Sequence, residues 1–231
     1  MCGRTSLFRP QPEIERRFDA TFDRDVEPRY NIAPGDELSV VHEADQDTLT
    51  VDEWGFVPSW ADAFDAGPRP INARAETIRE HDLFRSAFEN RRALVIADGF
   101  YEWAGERGGK QPFRVAREGN ALFAMAGIWS RWTGNGEERR TVAIITTEAN
   151  EVVEPIHDRM PVILPPDRES AWLEPESLER AKALLRPSDA ADLERYPIST
   201  VVNDPSNDSP AVIEPVGGER GQTELGSFGT K

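Results

Sequence analysis

The chain has 231 residues, enough to bury the core of one large domain or two small ones. Hydrophobic residues make up 38%, with no apolar run of membrane-spanning length; "MCGRTSLFRP" lacks the apolar stretch of a secretory signal, and one cysteine beside three histidines excludes a disulfide framework. The net charge of −15 is spread along the chain, and apart from Lys110, Lys182 and Lys231 every basic residue is arginine; that balance suits a salt-rich cytosol and excludes a broad basic nucleic-acid patch, so any DNA contact rests on a few placed arginines.

In chain order, a short helix is predicted over 11–18, opened by Pro12, with Ile14 and Phe18 on one face. "ELSVVHE" and "LTVDEWGFVP" read as two strands separated by the polar turn "ADQD". A helix is expected over 74–89, with Ile78, Phe84, Ala87 and Phe88 forming its stripe. "ALVIADGFYEW" reads as one buried strand, followed by the glycine-rich turn "AGERGGK". Four further strand-like stretches follow, "PFRVAR", "ALFAMAGIW", "TVAIITTEA" and "MPVIL". Helices are expected again near 167–173 and 176–186, and residues 217–231 have the composition of a disordered tail. The fold class is α+β, a single domain over 1–216 with a mainly antiparallel, barrel-like sheet core and flanking helices.

Four stretches place reactive side chains within otherwise apolar sequence: "MCGR", "INARAET", "DGFYEW" and "IHDRMP". Cys2, the lone cysteine, is either a small buried hydrophobe or a working nucleophile; its place at the chain's start favours exposure and therefore the second. Loss of Met1 leaves a 1,2-aminothiol, whose amine and thiol ordinarily titrate near 7.7–8.0 and about 8.5. That pair suits an aldehyde, because the amine forms a Schiff base and the sulfur closes a five-membered thiazolidine upon it. His157 is either a histidine satisfied by Asp158 or a proton-transfer group near neutrality. Glu102, among aromatics, either faces outward from its strand or has a raised pKa. Asn72 is either a helix N-cap or an amide that orients a reacting group.

The order and spacing of "MCGR", "YNIAPG", "WGFVPSW", "INARAET", "ADGFYEW", "AGIW", "ITTEAN", "IHDRMPVIL" and "YPISTVVND" resemble the SRAP family, the SOS response-associated peptidases or abasic-site-processing proteins, over nearly the whole chain. The resemblance implies a sensor of abasic sites in single-stranded DNA that cross-links to the ring-opened sugar aldehyde through the N-terminal cysteine. By that resemblance Cys2 is the nucleophile through amine and sulfur, Glu102 manages protons at the Schiff base, His157 assists opening of the sugar, and Asn72 holds Cys2 and the sugar in register. Arg4, Arg74 and Arg159 match phosphate contacts, where a guanidinium fork suits phosphate oxygens, and Trp60 matches an aromatic that stacks on a base. Some members carry a second aromatic where this chain has Ala61. The resemblance implies no metal and no cofactor, and the expected protein is a cytoplasmic monomer. Two other functions fit the same residues: a cysteine hydrolase using Cys2 and His157, and a non-covalent module for single strands.

Overall fold

The computed structural model describes residues 2–106 and 109–217; Met1, residues 107–108 of the glycine-rich turn and residues 218–231 of the expected tail lie outside the described residues. Strand β1 (Thr5–Leu7) is followed by helix α1 (Gln11–Phe18), strands β2 (Thr21–Phe22), β3 (Arg29–Ile32), β4 (Glu37–His42) and β5 (Asp45–Trp54), and the short β6 (Asn72–Arg74). Helix α2 (Asp82–Asn90) leads into β7 (Arg92–Ala97), β8 (Gly99–Ala104) and β9 (Gln111–Ala116), then into the long ribbon of β10 (Phe123–Gly134) and β11 (Glu137–Glu148). β12 (Arg159–Pro161), β13 (Ile163–Leu164), α3 (Glu169–Leu173), α4 (Leu178–Ala183) and β14 (Glu194–Pro197) complete the set.

The larger sheet closes on itself. Antiparallel pairing runs from β5 through β4, β7 and β10 to β11, and β5 returns to lie parallel to β11, with Thr141 opposite Glu53 and Val142 opposite Trp54. All six residues of β7 are buried, because the ring interior covers one face and α2 and α3 pack over the strand. Arg92 makes that packing possible without orphaned carbonyls. Its guanidinium donates to Phe88 O and Glu89 O at the end of α2, and to Trp172 O and Leu173 O at the end of α3. A cation there satisfies the last carbonyls of both helices and opposes both dipoles. The α+β, mainly antiparallel and barrel-like expectation therefore matches the observed fold. No helix among the described residues is long and apolar enough to cross a membrane.

A second sheet, in the order β14-β9-β8-β1-β3, carries the start of the chain. It branches from the first at Asp98, where the single strand expected over 93–103 breaks into β7 and β8. A fully buried carboxylate inside an apolar run needs partners, and these bend the chain away from the first sheet. Ser6 Oγ donates to Asp98 Oδ1 at 2.6 Å, Phe8 N donates to Oδ2 at 2.6 Å, and the buried Arg114 donates to both Oδ1 and the backbone oxygen. Gly99 is required beside them, since a Cβ there would lie 2.4 Å from the Arg114 guanidinium carbon. The Ser6 hydroxyl also accepts from Arg114 at 2.6 Å. Ser6→Ala should therefore cost about 1–3 kcal/mol, read as a lower urea midpoint at unchanged m-value.

The helix expected over 74–89 is shorter in the structure. Asn72–Arg74 is drawn into parallel pairing with Ile144–Thr146 of β11, residues 75–80 form turns, and α2 begins only after His81, whose Nδ1 accepts the Leu83 N–H. Ile78, Phe84, Ala87 and Phe88 are all buried, so the apolar positions were legible while their common helix was not.

Candidate functional site

The register of β1 against β8 builds the centre of the site. Thr5 lies opposite Phe100 and Ser6 opposite Gly99, and Tyr101 N donates to Arg4 O at 3.0 Å. Continued by one step, that ladder sets Glu102 beside the segment carrying Cys2, and the Glu102 carboxylate adds to the forces raising the Cys2 pKa. Asn72, at the start of β6, donates from Nδ2 to Cys2 O at 2.8 Å. Its Oδ1 is buried with no hydrogen-bond partner among the described residues, an acceptor left open in the site. Asn72 is thus a strand residue fastened to Cys2, not a helix cap.

Cys2 itself overturns the expectation of an exposed start. It is completely buried and packs with the main hydrophobic cluster. Burial is the first cause pushing its thiol pKa up, so the sulfur stays protonated at neutral pH. Glu102 is buried too, at 3% exposure, and desolvation pushes its pKa up to about 7. Of the two sequence readings for Glu102, the buried carboxyl with a raised pKa is the one realised.

His157 stands at the turn into β12. Burial pulls its pKa down, against the opposing effect of Asp158. Its Nδ1 accepts the Arg159 N–H at 2.9 Å, which places the proton of the neutral ring on Nε2. Asp158 Oδ1 lies 2.9 Å from the same nitrogen and would stabilise the ring once protonated. The Asp158 charge also reaches Glu102, raising it further, so the two sides of the site share one electrostatic environment. In the sequence Asp158 shows only as a partner that could satisfy His157; its effect on Glu102 comes from the fold.

The arginines divide into three situations. The Arg74 side chain is exposed and makes no hydrogen bond or ion pair among the described residues. Arg159 is bidentate to Glu76, with Nη1 to Oε1 at 2.7 Å and Nη2 to Oε2 at 2.9 Å. Arg4 is 9% exposed; its Nη1 donates to Asn31 Oδ1 at 2.6 Å and to Val202 O, and its guanidinium lies 5.7 Å from the Trp103 ring centroid. In this state Arg4 fastens the start of the chain to the rest of the molecule. Asn31 completes that fastening by donating to the carbonyls of Val202, Asp204 and Asn207. Its only signal in the sequence was its place in "YNIAPG".

Trp60 projects from the loop joining β5 to β6 and is 71% exposed, the most open large hydrophobic side chain described. Behind it, Ala61 packs against Val57, Phe64 and Trp132, and Ala61 O accepts from Trp132 Nε1 at 2.9 Å. Ala61 is therefore part of the loop's footing. The structure bonds Asn72 to Cys2, sets the Glu102 carboxylate where its charge acts on Cys2, and places Arg74 and Arg159 along the last third of β11, with Arg74 opposite Thr146 and Arg159 opposite Glu148. Among the described residues no group of His, Cys, Asp and Glu is placed to hold a metal ion.

The profile of the family described as SOS response associated peptidase (SRAP) matches residues 1–205. The chain belongs to the SRAP family. Among curated SRAP proteins it is 39% identical over 222 residues to the abasic site processing protein YoqW of Bacillus subtilis, covering 93% of this chain and 99% of that one. It is 31% identical to the abasic site processing protein YedK of Escherichia coli, covering 94% and 100%, and 28% identical to HMCES of Xenopus tropicalis, covering 91% and 77%. A crystal structure of a Bacteroides thetaiotaomicron protein superposes with a TM-score of 0.85 at 27% identity, covering 93% of this chain and 99% of that one. The SRAP fold is thus shared across sequences that have diverged widely.

Proposed function

We propose that this protein captures abasic sites in single-stranded DNA, forming a covalent thiazolidine on Cys2 after removal of Met1. The observation carrying this reading is the junction of Cys2 with Asn72 and Glu102 at the start of the chain. Membership of a family whose relatives are named abasic site processing proteins supports the substrate.

An abasic sugar in its open form presents an aldehyde. His157, neutral with its proton on Nε2, donates a hydrogen bond from Nε2 to the ring oxygen as the sugar opens; the proton that oxygen gains is the one the C1 hydroxyl loses, so the imidazole ends neutral as it began. The Cys2 amine attacks the aldehyde carbon, and water leaves to give the imine. Glu102, titrating near neutrality, takes the ammonium proton before attack and returns one to the departing hydroxyl. The sulfur then adds to the imine carbon while its proton passes to nitrogen, closing the ring with net loss of one water. Asn72 holds the Cys2 backbone, and its open Oδ1 accepts from a sugar hydroxyl. The raised thiol pKa weighs against a cysteine hydrolase, which needs a ready thiolate as its first nucleophile.

The test is mass spectrometry of the Met1-free protein after mixing with an abasic single-stranded oligonucleotide. An adduct of summed mass less one water, mapped to Cys2, supports the reading; no adduct, or one mapped to a lysine, overturns it. Trp60→Ala should weaken reversible binding to an undamaged strand by about 1–3 kcal/mol, the worth of one stacked base. Fluorescence anisotropy measures that loss.

A further inference from the structure

We propose that Glu76 occupies the Arg159 fork as an internal mimic of phosphate, so that a DNA phosphate binds there by displacing it, and that this exchange favours lesion capture over binding of undamaged strands. The inference rests on the proposed function and adds a specificity-determining residue to it.

Four observations carry it. The pair has the two-pronged geometry by which a guanidinium holds a phosphate, with contacts of 2.7 and 2.9 Å. The carboxylate is the outer layer: the Arg159 side chain is 13% exposed and that of Glu76 49%. From within, Thr146 O accepts from Arg159 Nη2 at 2.8 Å, so the fork keeps its place when its outer partner leaves. Arg74, two residues before Glu76, has no such cover, so of two arginines along the same stretch of β11 one is open and one is capped.

The displaced carboxylate, already half exposed, swings into solvent while Lys182 holds the turn in place, donating from Nζ to Glu76 O at 3.0 Å and to Ala75 O. A phosphate contact made by a free cation steepens the salt dependence of binding by about 0.9 in log–log slope. At Arg159 the freed Glu76 takes up a cation for each one the DNA releases, and the slope is correspondingly shallower. Non-covalent binding is held down, whereas thiazolidine formation, once complete, is indifferent to that competition.

The experiment compares wild type, Glu76→Gln and Glu76→Asp by anisotropy with an undamaged single strand across a series of KCl concentrations. In parallel, each protein's adduct with the abasic strand is followed by mass spectrometry. Glu76→Gln should bind the undamaged strand about two- to fivefold more tightly at low salt, the worth of a partly exposed pair, with a slope steeper by up to about one. Glu76→Asp, which keeps the charge but is too short to span both Nη atoms, should shift in the same direction. Weaker binding by Glu76→Gln would make Glu76 an organiser of the fork and overturn the proposal, as would unchanged affinity and slope. A shift in Glu76→Gln without one in Glu76→Asp would assign the effect to net charge and overturn it as well. Absence of adduct from the wild-type protein would instead defeat the proposed function, independently of the binding comparison.

Discussion

Protein that keeps any residue ahead of Cys2 should give no stable adduct with an abasic strand, a loss of at least about a hundredfold. An acylated nitrogen is an amide, which lacks the basic lone pair needed to form an imine. The thiol alone gives only a hemithioacetal, which reverts. The structure strengthens the requirement, because burial keeps the Cys2 sulfur protonated at neutral pH and leaves the amine to make the first attack. An α-amine ordinarily titrates near 7.7–8.0 and is partly free at that pH. Cys2→Ser separates the two steps: it keeps the amine and should form an imine that hydrolyses, is trapped by borohydride, and can nick the strand by elimination. Intact-mass measurement and denaturing gels on Met1-free, Met1-retained and Cys2→Ser protein decide the matter. Equal cross-linking by the Met1-retained form would eliminate the aminothiol mechanism.

How far the site was legible in the sequence depended on whether local chemistry or tertiary pairing set each residue's environment. Cys2, with its potential for both amine and thiol chemistry, could be picked out because composition isolates it. Its burial could not, because position at a chain's start says nothing about the strand pairing that draws Thr5 and Ser6 against β8. Glu102 was ambiguous for the same reason: alternation along one strand does not show that both faces are covered. A helix cap stays open for Asn72 beside the orienting amide because "ARAETIRE" has helix-forming composition, yet the ladder of β11 at Ile144–Thr146 claims it for a strand. Asp98 carries a signal of its own, since a carboxylate within "ALVIADGF" has to break the run or find a buried partner, and here it does both. Glu76 lay in plain view inside "INARAET", but only the fold brings it to Arg159, 83 residues away.

Glu102→Gln should make the protein both more stable and far less active, a combination that a merely structural carboxylate does not give. The Glu102 pKa is about 7 in the folded protein against an ordinary 4.5, because burial penalises the charged form. The sign follows from that direction: the fold binds the proton more tightly than the unfolded chain does. The resulting stability is full below about pH 4.5 and is lost as pH rises through 7. Glutamine has nearly the same shape and never ionises. Against wild type, Glu102→Gln should therefore be nearly neutral at pH 4 and gain about 3 kcal/mol at pH 8, measured by urea denaturation at both values. Its adduct formation should fall by about 10²–10⁴-fold, and the inflection near pH 7 in the wild-type rate profile should vanish. Loss of activity with no gain in stability at pH 8 would mean that Glu102 is solvated and unperturbed. Retained activity with the inflection intact would move the proton transfer to another group, with His157 and its neighbour Asp158 next to be tested. A carboxyl held at about 7 against its solvation preference destabilises the fold at the pH where its proton is most readily exchanged, and the size of that cost sets how much stability the substitution recovers.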